Sequence, residues 1–106
     1  MWTAGGWVGR FGLPFGPAAT GYRHGPDDVA AVQVPATLLA VYHDAVHEQA
    51  VRYVGGLRDA DLDRVVDTRW DPPVTLGVRL VSVLADALQH AGQAAFVRGI
   101  VARRRQ

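Results

Sequence analysis

Asp86, His90 and Gln93 interrupt an otherwise apolar helical pattern near the C-terminus. Asp86 and His90 are four residues apart, which places them on adjacent turns of one helical face. Such a pair can offer a carboxylate oxygen and an imidazole nitrogen to one divalent ion. Burying both groups without partners would be costly, so the pair must hydrogen-bond, bind a metal or face a cavity. Because isolated core histidines outnumber metal ligands, spacing alone favours a hydrogen-bonded structural pair over a metal pair.

A second histidine pair, His43 and His47, has the same spacing further upstream. Its neighbours Asp44, Glu48 and Arg52 are charged, and the group lies away from the apolar positions of the same segment. This composition favours a solvated polar face, with a transition-metal pair as the alternative.

Composition narrows the possible chemistry and partners. The chain has 0 cysteines, so disulfides, thiolate metal ligands and a cysteine nucleophile are excluded, and any thiol chemistry needs an external thiol.

The net charge of +1 gives no broad electrostatic field for anionic partners. The arginines at 103–105 are better explained by the negative end of a helix dipole than by contact with nucleic acid. His24 has no partner at motif spacing, and we assign it no role. Without a signal-like segment or a long apolar stretch, we expect a cytoplasmic protein with neither a membrane nor a nucleic-acid partner.

Apolar periodicity predicts two long helices that position the histidines. The first begins at Pro35 and ends at Gly55–Gly56, where glycine can adopt the left-handed capping conformation. The second begins after Thr75, a suitable N-cap, and runs to the C-terminus. The first apolar stripe comprises Leu39, Tyr42, Val46, Ala50, Tyr53 and Leu57, and the second comprises Leu76, Leu80, Val83, Ala87, His90, Ala94, Val97 and Val101.

Residues 1–34 are predicted to be mostly loop, because glycine and proline recur throughout them. The segment is also aromatic, so we expect it to lie against a hydrophobic surface. Acidic residues after Pro26 predict one short helical turn at 26–31.

The segment between the long helices is predicted to hold a short helix near Ala60–Val66, with Asp59 as its N-cap. The prolines at 72 and 73 then impose an extended stretch, and Trp70 is expected to be a hydrophobic plug at the start of the last helix. No strand-like alternation of comparable length is present. The sequence therefore predicts an all-α class, with two long helices plus short helices and a long N-terminal loop.

Three segments together resemble a known family. The run Asp86–Gly99, DALQHAGQAAFVRG, resembles the last-helix signature of DinB-like proteins, which carries an H-x-x-x-H or D-x-x-x-H pair followed by Gly-Gln. The runs Trp70–Asp86 and Trp2–Tyr22 resemble the actinobacterial-type branch that includes mycothiol-dependent transferases and the metal-binding domain of maleylpyruvate isomerase. The likeness covers nearly the whole chain.

The resemblance implies a partial DinB-like up-down bundle spanning residues 1–106 as a single domain. Family members are four-helix bundles that hold a divalent metal, commonly zinc or nickel, with one histidine from the second helix and two ligands from the last. Asp86, in place of a histidine, and His90 match the last-helix positions, and Gln93 is a candidate to orient a ligand from outside the coordination sphere. In relatives the loop beginning WTAGGW follows the first two helices, so the resemblance predicts that this chain lacks those helices and the histidine they carry.

Two functional hypotheses follow. In the first, the chain is a DinB-like metal-binding protein related to mycothiol-type S-transferases and acting in detoxification, with an external low-molecular-weight thiol and an electrophile as small-molecule partners. In the second, it is a non-catalytic truncated helical remnant or a homo-oligomeric assembly module, in which two chains cover each other's apolar faces. Metal content and oligomeric state separate the two hypotheses, and whether the chain is an enzyme stays open between them.

Overall fold

The computed structural model describes all 106 residues, which divide into two compact units, Met1–Gly56 and Leu57–Gln106. The first unit contains helices α1 (Trp7–Phe11), α2 (Pro26–Ala30) and α3 (Ala36–Gly55). The second contains a 3-10 helix (Asp59–Asp63), strands β1 (Val65–Asp67) and β2 (Val74–Thr75), and helix α4 (Leu76–Arg104). The predicted all-α class is confirmed, with one small sheet added.

Helix α1 lies within the segment predicted to be mostly loop, and the sequence pattern did not indicate it. Glycines with positive φ flank it, Gly6 at 73° and Gly12 at 57°. Glycine adopts this left-handed conformation without the steric cost that a side chain would add. The glycines that made the segment look like a loop are therefore the capping residues of the helix.

Three aromatic residues of the N-terminal segment, Trp2, Trp7 and Phe11, pack on Tyr42 of α3, which provides the hydrophobic contact expected of this segment. Trp7 is buried, and its ring centroid lies 4.9 Å from that of Tyr42. Phe11 and Trp2 approach the same tyrosine at 5.4 and 5.6 Å. Such tilted and edge-on contacts stabilise the cluster beyond the burial of its area. The predicted short turn is also present as α2, where the N–H of Gly25 donates to Asp28 Oδ2 at 3.0 Å.

Helix α3 spans nearly the predicted residues, but the conformation at both of its ends differs from the prediction. Pro35 precedes the helix with an extended ψ of 135°, so it is the capping residue and not the first helical one. Gly55 is still helical, and Gly56 has a φ of −88°, so the predicted left-handed cap is wrong. Instead, the N–H of Gly56 donates to the Tyr53 carbonyl at 3.2 Å, a 3-10 turn that needs no positive φ.

The predicted short helix near Ala60–Val66 forms only in part. Only the shorter 3-10 helix forms; Arg58 is its N-cap, and Asp59 is its first residue. The consecutive Val65 and Val66 instead belong to β1, which pairs antiparallel with β2. Adjacent β-branched side chains favour a strand, and the two prolines after Asp71 turn the chain back to complete the hairpin.

The hairpin also changes the environment of Trp70. Trp70 lies in the connection between the two strands and is 64% exposed, so the expectation of a buried plug is wrong. Leu76, the first residue of α4, is buried instead. A Cβ at Gly77 would lie 3.3 Å from the Leu62 carbonyl oxygen. Because Gly77 has no Cβ, α4 can pack closely against the 3-10 helix.

Helix α4 starts as the sequence predicts. Thr75 is its N-cap, and the Thr75 Oγ1 accepts a hydrogen bond from the Val78 N–H at 3.3 Å. The helix continues for 29 residues and ends with Arg103 and Arg104 in its last turn, where positive charge favours the carbonyl end of the dipole. No helix of the chain has both the length and the apolar character needed to cross a membrane.

Candidate metal centre on helix α4

Asp86 and His90 lie on consecutive turns of α4, and their side chains meet. The distance from Asp86 Oδ1 to His90 Nε2 is 3.4 Å. The continuous helix fixes this approach, because residues four apart lie on one face and their side chains are directed along it. The predicted proximity of the two groups is therefore confirmed.

The separation of these two atoms is suitable for sharing a metal ion. Zinc binds imidazole nitrogen at 2.0–2.1 Å and carboxylate oxygen at 2.0–2.2 Å, so two such ligands at a tetrahedral angle lie about 3.3–3.5 Å apart. The observed 3.4 Å falls in this interval and is long for a hydrogen bond. The donor set, one imidazole and one carboxylate, suits zinc and nickel.

Gln93 contacts the other nitrogen of the same ring. Its Oε1 lies 3.1 Å from His90 Nδ1, a hydrogen-bonding distance. A glutamine oxygen can only accept, so in this contact Nδ1 is the donor, and Nε2 is the nitrogen that faces Asp86. Histidine ligands of metals typically donate their second N–H to such an acceptor, which fixes the tautomer and the ring orientation.

The site is open to solvent. The His90 and Asp86 side chains are 69% and 71% exposed, so the burial that their place in the apolar pattern suggested is not observed. The apolar stripe that His90 interrupts has the predicted register, but its members Val83 and Val97 are also exposed. No group of three or more His, Cys, Asp or Glu side chains is arranged to hold one ion, so the pair contributes two ligands.

The second histidine pair has a different geometry. The rings of His43 and His47 are nearly parallel, 7° apart, with centroids separated by 6.0 Å. His43 Nδ1 lies 3.3 Å from Asp44 Oδ1, and both of these side chains are more than three-quarters exposed. The arrangement agrees with the solvated polar face that composition favoured.

Asp67 is the polar centre that sequence reasoning missed. Its side chain is buried and receives two hydrogen bonds from the Arg69 guanidinium, at 3.0 and 2.8 Å, and one from Arg79 at 2.8 Å. The side-chain hydrogen bonds from Arg69 are the largest cause that holds the pKa of Asp67 well below its usual range, and the same contacts raise the pKa of Arg69. Arg79 is twelve residues away and on α4, so no local spacing could have indicated this cluster. It ties the hairpin to the helix that carries Asp86 and His90.

Comparison with known proteins agrees with this architecture. The family model for mycothiol-S-transferase matches residues 1–102. A solved structure, described as the conserved protein of a locus from Enterococcus faecalis, is 34% identical and superposes with a TM-score of 0.81. The alignment covers 90% of this chain and 56% of that one, so the present chain spans little more than half of its length. No curated protein matches the chain. Since the match includes the N-terminal loop, the hairpin and nearly all of α4, the chain belongs to the DinB-like mycothiol-S-transferase family.

Proposed function

We propose that the chain binds a divalent metal, zinc or nickel, through Asp86 and His90, and that this site serves S-transfer from a low-molecular-weight thiol of the mycothiol type. The observation that supports the proposal is the arrangement around His90, with Asp86 at 3.4 Å from one ring nitrogen and Gln93 at 3.1 Å from the other. This arrangement places an imidazole nitrogen and a carboxylate oxygen at a separation that one ion can bridge, within a chain of the matching family.

The side chains have separate tasks in this proposal. His90 Nε2 and Asp86 Oδ1 bind the ion, and Gln93 Oε1 holds the imidazole in the tautomer that can do so. When bound, the ion would supply a Lewis acid that lowers the pKa of a coordinated thiol. In S-transfer the thiol loses its proton to solvent or a base, and its sulfur forms a bond to an electrophilic carbon while the leaving group departs with its electron pair.

The proposal requires an external thiol, since these 106 residues include no cysteine. We place the reaction in the cytoplasm, where small thiols are kept reduced. Consumption of reactive electrophiles by such a thiol would be a detoxification reaction.

Metal titration tests the proposal. Zinc and nickel affinities are measured by competition with a chromophoric chelator for the wild type, His90→Ala and Asp86→Ala, with His43→Ala as the control on α3. Because two protein ligands make a weak site, we expect binding that a chelator readily reverses. His90→Ala should weaken binding by at least about tenfold, whereas His43→Ala should change it little. Equal loss from both variants, or greater loss from His43→Ala, would place the metal on α3.

Activity is tested separately, by following the disappearance of mycothiol in the presence of a chromogenic alkyl halide and added zinc. The proposal expects turnover that depends on both the metal and His90. Metal binding without any thiol consumption would restrict the function of this chain to metal binding.

A second candidate function, assembly of two copies of this chain, is favoured by the surface of α4. At about 100° per residue, one face of the helix presents Val81, Leu84, Leu88 and Phe96, roughly opposite His90. All four are at least 65% exposed. A helix that is apolar on opposite sides is usually buried on both sides. The α4 helix of a second copy, related by a two-fold axis, would cover the face that contains Leu88. Sedimentation over a concentration series tests it: Leu88→Glu should weaken association, and Ala94→Glu, which adds the same charge on the side of the helix that carries His90, should not.

A further inference from the structure

The first unit contains a cavity of about 200 Å³ between the N-terminal segment and the chain that follows α2. Its lining is mainly apolar, and two polar side chains face it, Thr20 and His24. The apolar side chains are those of Trp2, Val8, Leu13, Phe15, Ala19 and Val32. Every lining residue belongs to the first unit, and none belongs to α4.

His24 is placed in this cavity by an unusual local backbone. Arg23 has a φ of 64°, which is uncommon for a residue with a side chain, and Gly21 has a φ of 82°. A hydrogen bond from the His24 N–H to the Gly21 carbonyl at 3.2 Å closes the turn. A left-handed arginine is maintained at some energetic cost, and such residues concentrate at ligand sites.

Stacking determines the orientation of the His24 ring. The imidazole lies 4.5 Å from the Phe15 ring, with an angle of 36° between the planes. This contact uses the face of the imidazole and leaves its two nitrogens free to hydrogen-bond to a ligand. Thr20 Oγ1 accepts the Tyr22 N–H at 3.5 Å, so its hydroxyl proton is also available.

We propose that this cavity binds a small, uncharged aromatic molecule with one hydroxyl group, of the phenol class. The apolar walls favour an aromatic ring, and the Phe15–His24 stack provides a flat surface for it. The lining has no Lys, Arg, Asp or Glu side chain, so it offers no compensation for a charged ligand. The imidazole and the Thr20 hydroxyl supply the donor and acceptor that one ligand hydroxyl requires. The volume lies below the range of about 300–1,000 Å³ typical of drug-sized pockets, which favours a single ring.

Fluorine NMR titrations of the full chain test this proposal, with 4-fluorophenol as the probe and 4-fluorotoluene as its counterpart without a hydroxyl. We expect saturable binding of the phenol, tighter than that of the toluene. His24→Phe retains an aromatic ring to stack on Phe15 but removes the hydrogen bond. It should weaken phenol binding by roughly three- to tenfold and leave toluene binding little changed.

A matched pair of glycine variants locates the probe. A Cβ at Gly16 or at Gly9 would meet no atom within 4 Å, and neither residue has a positive φ, but only Gly16 lines the cavity. Gly16→Leu should therefore abolish phenol binding, and Gly9→Leu should not. Circular dichroism establishes that each variant retains its helices, and Ala19→Leu, which fills the same cavity, replaces Gly16→Leu should that variant unfold.

Loss of phenol binding in Gly16→Leu but not in Gly9→Leu supports the proposal. Phenol binding that survives in Gly16→Leu, or that is no tighter than toluene binding, overturns it, because the probe would then lie on the exposed helix faces. The outcome is independent of the metal proposal, since His90→Ala should not change phenol binding.

Discussion

Replacing Gln93 by leucine tests whether the contact on the far side of the imidazole supports metal binding. Leucine has a similar size but no acceptor, so Gln93→Leu removes the 3.1 Å contact to His90 Nδ1 and leaves Asp86 and His90 Nε2 in place. We therefore expect weaker zinc binding without loss of either ligand.

The structure determines the size of the effect. Loss of an outer hydrogen bond to a metal ligand typically weakens binding by about 10–100-fold. Here the histidine is 69% exposed, so water can replace the lost acceptor, and the effect should approach that of an ordinary hydrogen bond. At about 0.5–1.5 kcal/mol, this corresponds to roughly two- to thirteenfold weaker binding.

The assay is competition for zinc with a chromophoric chelator, at the same pH for every variant. Gln89→Leu is the matched control, since it makes the same change one turn earlier on α4, where the side chain forms no hydrogen bond to the His90 ring. If Gln93→Leu and Gln89→Leu bound zinc equally well, the contact would have no role in orienting the ligand, and the tautomer argument would be refuted.

Three further predictions concern the elements that position α4. Thr75→Ala should lower the free energy of unfolding by about 1 kcal/mol in urea titrations, since it removes the cap to the Val78 N–H, and Thr75→Ser should retain most of that stability. Leu76→Ala should cost about 2–5 kcal/mol because Leu76 is buried, whereas Leu39→Ala, at a 49% exposed position on α3, should cost much less in the same measurement. The folded-state pKa of Asp67 is lowered, so its stabilising contribution is complete above the unfolded-state pKa of about 3.9 and is lost as the pH falls below it. The urea midpoint of the wild type should therefore fall more steeply below about pH 4 than that of Asp67→Asn, and parallel curves would contradict the assignment.

The long helices were predictable because their signals are periodic and local. The Thr75 cap and the register of Asp86, His90 and Gln93 all depend on spacings of three or four residues, which a helix converts directly into contacts. The proximity of Asp86 to His90 was therefore accessible from the sequence. The second apolar face of α4 follows from the same periodicity. The prediction considered only the stripe through Leu80 and Val83 and therefore did not include it.

The features that the sequence did not predict depend on contacts between distant residues. The hairpin needs the pairing of Val65 with Thr75, and a three-residue strand has too short a pattern to be distinguished from a helical turn. The Asp67–Arg79 contact likewise exists only because the hairpin lies beside the start of α4. The exposure of Trp70, which was predicted to be a hydrophobic plug, has the same origin, because it follows from the position of Trp70 in the hairpin connection.

The two proposals for α4 can be separated because they use opposite sides of one helix. Leu88 and His90 are two residues apart, which is about 200° around the axis, so a partner that covers Leu88 does not cover the Asp86–His90 pair. Leu88→Glu should weaken self-association and leave zinc affinity unchanged, and His90→Ala should do the reverse. Sedimentation and zinc competition on both variants measure the two properties independently. If Leu88→Glu also reduced zinc affinity, the metal would depend on a second copy of the chain, and the partner would have to supply ligands from a surface other than the one proposed here. If each variant lost both self-association and zinc affinity, α4 would have one function, a metal-dependent assembly, and not two independent ones.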